Sequence, residues 1–167
     1  MKKCTHPAGY GPATGFWSLA AGFWFLATGF WLLAPGSSFS QIPKQVIYTE
    51  SAPKPIGPYS QAILSGNTLY VAGQIAIDPA TGKMDTADFE TEIRRVLGNL
   101  GEVLKAAGMT FDNVVKTTVY TTDLKNFKTI NSIYEVMFQK DPPARETVQV
   151  AALPRKAHVE ISAIAVK

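Results

Sequence analysis

Cysteine is almost absent from this sequence, with Cys4 the only one. No disulfide framework and no thiolate site can form in the rest of the chain. Histidine is nearly as scarce: His6 and His158 have no ligand spacing between them, so no metal site is expected. No glycine-rich phosphate loop occurs, and nothing calls for an organic cofactor. Charge is missing from the start of the chain, where Lys2 and Lys3 are the only charged residues before position 41. Setting those two aside leaves 14 basic against 13 acidic residues. That near balance offers nothing to nucleic acid or to an anionic membrane surface.

Residues 1–40 read as a leader distinct from the domain at 41–167. GFWSLAA, GFWFLAT and GFWLLAP follow one another from Gly15 to Pro35, and all three tryptophans lie among them. Gly15 to Ala34 is a run of twenty residues without charge, long enough to cross a bilayer as a helix. Three readings stay open. The leader is a membrane anchor, or a secretory signal peptide with Lys2-Lys3 as its n-region. Or it is a tandem repeat read through from a start assigned too early, not native coding sequence. The domain is expected to be cytoplasmic under the last reading, and exported or membrane-anchored under the others. Gly36 to Pro43, GSSFSQIP, has the composition of a flexible junction.

Beyond it the length suits one domain. Val46–Tyr48, Ala62–Leu64 and Leu69–Ile77 are strand candidates, the last two joined by a tight turn at Ser65-Gly66-Asn67. SAPKPIGPYSQA, between the first two, has the prolines of an ordered irregular loop. Tyr59 at its tip offers a ring wall and one hydrogen bond; packing on its own sheet is the plainer use. Gly73 inside a strand marks a bulge or a close approach to the backbone. Phe89, Ile93, Val96, Leu97, Leu100, Val103, Leu104 and Ala107 recur at helical spacing. Asp85 or Thr86 can cap this helix and Gly108 can end it, while Gly98 and Gly101 suggest contacts needing small residues. Its arginines and glutamates read as a solvated face. Val114–Thr122 is a β-branched central strand. Asp123 can cap a second helix, Lys125 to Gln139, with Phe127, Ile130, Tyr134, Met137 and Phe138 inward. Asn131 lies near that apolar face, where an amide usually serves a structural hydrogen bond.

Arg145–Val150 and His158–Val166 alternate at period two and close the chain as two strands of one sheet. Arg145, Thr147 and Gln149 share one face of the first. His158, Glu160 and Ser162 share the polar face of the second, opposite Val159, Ile161, Ala163 and Ala165. This parity suggests that Arg145 and Glu160 project from the same polar face. Such a pair is either a surface ion pair worth about 0–1 kcal/mol or a guanidinium fork for a substrate carboxylate beside a proton-handling group. The order is β-β-β-α-β-α-β-β. Two helices can cover only one face of the sheet, and the other is too apolar for free solvent, so it needs a partner.

The pattern P-A-R-x-x-V-x-V-x-x-L-P, then x-V-E-I-x-A-I-A-V, resembles the C-terminal signature of the RidA (YjgF) family of enamine/imine deaminases. So do Ile56-Gly57-Pro58-Tyr59 with Gln61, Ala72-Gly73-Gln74, and Asn131-x-x-Tyr134-x-x-x-Phe138. The resemblance runs from about Val46 to Val166. It implies a chorismate-mutase-like α+β fold: a mixed sheet, two helices on one face, and a homotrimer with clefts between subunits. It implies hydrolysis of 2-imino or 2-enamino acids, 2-aminoacrylate-like, to 2-keto acids and ammonia, without metal or cofactor. Arg145 would bind the substrate carboxylate and Glu160 would activate water. Tyr59, Gly73, Asn131 and Thr147 would shape the pocket. Many members have Cys where this chain has Thr147. The family uses mainly that residue's backbone carbonyl, which Thr keeps. The competing implication is a non-catalytic trimer that binds small carboxylates or acts as a chaperone-like or regulatory protein.

Overall fold

The computed structural model describes residues 42–167. The three readings of the leader at residues 1–40 lie outside the described residues. Six strands and two helices follow in the expected order: β1 (Lys44–Ile47), β2 (Ala62–Ser65), β3 (Thr68–Gln74), α1 (Phe89–Ala106), β4 (Val114–Thr121), α2 (Phe127–Met137), β5 (Ala144–Gln149) and β6 (Val159–Val166). They form one mixed sheet of order β1-β2-β3-β6-β4-β5. β4 and β5 are parallel, as the crossover through α2 requires, and the other pairs are antiparallel.

Local chemistry explains the boundaries. The β2–β3 hairpin turns on Gly66, whose φ of 60° suits glycine. β3 stops at Gln74, short of the expected Ile77. The register with β6 slips between Val71 and Gln74, a bulge at Ala72-Gly73. Beyond it the carbonyls of Ile75 and Ile77 leave the ladder and accept from the buried Asn99 side chain at 3.0 and 2.9 Å. α1 is capped by Asp88, not by Asp85 or Thr86: its carboxylate accepts from Thr91 N at 2.8 Å. Gly108, at φ 70°, follows the helix end. Gly101 meets the Phe111 ring, where an added Cβ would lie 3.1 Å away, but Gly98 faces open space and needs no small residue.

The apolar stripe of α1 packs with α2 on the sheet residues Leu69, Val71, Val119, Val159, Ile161 and Ala163. Truncating a fully buried member such as Leu97 to Ala would cost about 2–5 kcal/mol. Phe127, expected inward, is largely exposed, and Ile133 takes the buried position instead. Glu92 departs from the expected solvated face, being only 1% exposed.

The ladders decide which side chains share a face. Arg145 lies opposite Thr117, which lies opposite Ala163. Glu160 lies opposite Tyr120, which lies opposite Val148. Arg145 and Thr147 therefore face the helices, and Glu160 faces the open side. The expected common face is wrong. Parity within each strand holds, but β4 lies between β5 and β6 and sets their phase. The open face carries Val46, Tyr70, Tyr120, Glu160, Ile164 and Val148, with Tyr70 51% exposed.

Candidate functional site

Two clusters emerge, one on each side of the sheet. The first is built on Arg145. One guanidinium N–H donates to Asn131 Oδ1 at 2.7 Å. The guanidinium carbon lies 4.8 Å from the Tyr134 ring centroid and 5.5 Å from that of Phe127. Aromatic faces and one amide thus fix the plane of the fork. No carboxylate among the described residues pairs with it. Asp141-Pro142-Pro143 follows α2, and the two prolines close a cleft of about 360 Å³ with Asn131, Tyr134, Glu135, Phe138 and Arg145. Burial pushes the Tyr134 phenol above its ordinary value, and the Thr117 hydroxyl and Arg145 charge offset this. The hydroxyls of Thr117, Tyr134 and Thr147 are buried without a well-formed hydrogen bond.

The second cluster is built on Glu160, which lines a cleft of about 290 Å³ with Ile56, Tyr59, Ala72, Gly73, Ile75 and Pro154. Gly73 is where the backbone gives way to this carboxylate. A Cβ there would collide with Glu160 Oε1 and lie 2.7 Å from Cδ. Burial raises the Glu160 pKa above its ordinary value, and no hydrogen bond or ion pair reaches it from the described residues. Its charge is left uncompensated by the described residues. Tyr59 stands at the rim, 49% exposed, its hydroxyl accepting from Ile56 N at 3.2 Å.

The proline-rich loop holds Tyr59 there because Gln61 clasps it from beneath. The buried Gln61 amide accepts from Thr49 N at 2.7 Å and donates to the carbonyls of Thr49, Ala52 and Pro53 at 2.9, 3.2 and 2.9 Å. So Tyr59, Gly73 and Glu160 come together, as do Asn131, Arg145 and Thr147, but the two groups do not meet in one chain. Asn99 went unread in the sequence and Glu92 was assigned to a solvated face, although both lie on the α1 stripe, three residues after Val96 and Phe89 respectively. A polar residue at a stripe position was the available signal.

The family model described as Endoribonuclease L-PSP matches residues 49–167. The chain belongs to that family. It is the RidA (YjgF) family indicated by the sequence motifs. Members similar to this chain include a mouse protein named 2-iminobutanoate/2-iminopropanoate deaminase, 51% identical over 77% of this chain and 95% of the relative. A RutC family protein of Pyrococcus horikoshii is 49% identical over 74% and 98% of the two chains. Among solved structures, a Rid family protein from Yersinia pestis is 48% identical with a TM-score of 0.73, over 75% of this chain and 100% of its own. Escherichia coli TdcF, solved with bound serine, is 40% identical with a TM-score of 0.71 over 74% and 98%. The α+β fold is that of these RidA/YjgF structures.

Proposed function

We propose that this protein is a deaminase that hydrolyses 2-imino and 2-enamino acids to 2-keto acids and ammonia. The observation that carries the reading is the pair of half-sites: an oriented guanidinium with no carboxylate partner among the described residues, and a half-buried carboxylate with no cation among them. Each lacks what the other, with a substrate between them, would supply. Deaminase names among relatives near 50% identity support the reaction class, and the serine bound to TdcF is an amino acid whose carboxylate Arg145 would suit.

Because the half-sites face opposite sides of one sheet, the reading places the cleft between two copies. Arg145, Asn131 and Thr147 come from one copy; Tyr59, Gly73 and Glu160 come from the next. A cyclic homotrimer repeats that junction and covers the apolar open face. In the cleft, the Arg145 fork binds the substrate carboxylate with charge-assisted hydrogen bonds. Glu160 takes a proton from water as its oxygen attacks the imine carbon. Protonated Glu160 passes that proton to the imine nitrogen, giving the carbinolamine; the hydroxyl proton then moves by way of Glu160 to the amino nitrogen, the C–N bond breaks, and ammonia leaves as the C=O forms. An enamine enters after its β-carbon is protonated to give the imine.

The competing reading is a trimer that only binds small carboxylates. A buried carboxylate in the cleft opposes anion binding, and this favours catalysis. The test generates a 2-imino acid in situ with an amino-acid oxidase and follows ammonia and keto-acid release. Wild type should accelerate release, and Glu160→Gln should lose about 10²- to 10⁴-fold while still binding a 2-keto acid. Unchanged release with wild type refutes the activity, and a stable monomer by light scattering at micromolar concentration refutes the shared cleft.

A further inference from the structure

We propose that Glu92 is a positioning residue for Glu160, acting through His158. Glu92 stands on α1, and both its carboxylate oxygens are used by one residue. Oε1 accepts from His158 N at 2.7 Å, and Oε2 lies 2.8 Å from His158 Nδ1. Such a nearly fully buried carboxylate is costly unless its hydrogen bonds are made, so the pair is held tightly. His158 is gripped from the other side as well. Its carbonyl accepts from Thr122 N and from Thr121 Oγ1, both at 3.0 Å. The backbone of His158 is thereby pinned between α1 and the end of β4.

The place of this clasp gives it a purpose. β6 begins at the next residue, Val159, and Glu160 is the second residue of the strand. Strand ends fray unless tied. The segment entering β6 has Arg155 and Lys156 in succession at φ 56° and 58°, a left-handed pair that non-glycine residues adopt at a cost. A strained turn on one side and a catalytic carboxylate on the other require a fixed point between them. Glu92 supplies it from the far layer of the fold. The imidazole remains more than half exposed, so the clasp serves the backbone rather than burying the ring.

The inference rests on Glu160 acting on the substrate, and the experiment separates the two. Three variants of the full chain are compared: Glu92→Gln, Glu92→Asp and Glu92→Leu. Gln keeps the length, its oxygen still accepting the His158 N–H and its NH2 able to donate to an unprotonated Nδ1. Asp keeps the charge but falls a methylene short. The expected order is Gln within about threefold of wild type, and Asp and Leu reduced roughly ten- to a hundredfold in kcat through misplacement of the carboxylate. KM should change little, because Arg145 belongs to the other half-site. A role in charge alone would invert the order, with Asp active and Gln impaired, and that result overturns the proposal. A purely structural role would lower Tm without moving kcat of the folded enzyme, which also overturns it. Amide hydrogen exchange at Val159 and Glu160 supplies a readout independent of chemistry: it should quicken in the Asp and Leu variants and not in the Gln variant. Unchanged exchange in Glu92→Asp overturns the clasp whatever Glu160 does. Full activity in Glu160→Gln would instead remove the base, leaving exchange to decide the clasp.

Discussion

Replacing Gly73 with Ala adds one methyl group at the position where β3 bulges toward Glu160. Gly73 is not among the positive-φ glycines, so the backbone can accept Ala without strain. The conflict is with Glu160: the new Cβ would collide with Oε1 and sit 2.7 Å from Cδ and 3.0 Å from Cγ. All three atoms belong to the far part of a flexible side chain whose carboxylate is only half-buried. The cheapest relief is to swing that side chain away by something like 1 Å, at an off-rotamer cost of about 0.5–1.5 kcal/mol. Replacing Gly by Ala also restricts the unfolded chain and returns about 0.4–1 kcal/mol. Net stability should therefore change by less than about 1 kcal/mol, whereas a misplacement of that size costs about 10²-fold in rate. The assay is imine hydrolysis with Tm measured on the same preparation. The expected result is a folded enzyme of near-normal Tm and strongly reduced kcat. In a Glu160→Gln background the same change should cost little more, because the group it displaces no longer takes a proton. A kcat within about threefold of wild type, well short of the loss expected from misplacing a base, would refute the assignment of Gly73 as the space that Glu160 occupies.

Arg145→Lys keeps the charge but loses the planar fork, its Asn131 contact and its stacking on Tyr134; kcat/KM should fall by roughly ten- to a hundredfold, and an unchanged value would move the carboxylate anchor elsewhere. Burial raises the Glu160 pKa, and the base must be ionised to act. The acid limb of the rate profile should therefore lie above the ordinary glutamate range and vanish in Glu160→Gln. The same shift is a stability statement: a raised folded-state pKa gives a contribution present below the unfolded value and lost as pH rises through the folded one. Glu160→Gln should accordingly gain thermal stability over wild type at neutral pH and not in acid, as thermal melts at the two pH values would show. Lys156→Gly relieves a left-handed residue at φ 58° and should raise stability by about 0.5–1 kcal/mol; a lower urea midpoint would contradict that.

Most of the fold was legible because each element carries its own signal. Alternation marked β6, the stripe of Ile93, Leu97, Leu100 and Leu104 marked α1, and glycine at 66 marked the hairpin. The half-site members were legible too, through motifs. What one strand cannot encode is its phase relative to a strand it does not touch. Arg145 and Glu160 alternate correctly within β5 and β6, but their relation is transmitted through Thr117 and Tyr120 of β4. Glu92 was misread for a different reason. Charge on a helix is ordinarily solvated, and only the tertiary partner His158, sixty-six residues away, makes burial tolerable. The path of the chain after β3 likewise involves Asn99, more than twenty residues downstream, which takes the Ile75 and Ile77 carbonyls.

The placement of Arg145 and Glu160 on opposite faces has a genetic consequence. In the assembly proposed above, a copy damaged at Arg145 still offers an intact Glu160 to its neighbour, and a copy damaged at Glu160 still offers an intact Arg145. Two impaired proteins, one carrying Arg145→Lys and the other Glu160→Gln, should therefore complement each other when their subunits are exchanged. Every mixed ring contains at least one junction where both sound faces meet. The same arithmetic makes a lesion on one face strictly additive with normal copies, since a defective copy spoils the one cleft that needs its damaged face while its sound face still serves the other. Damage in this protein would be inherited by interfaces, and a cell carrying two different faulty alleles would be better off than one carrying either alone.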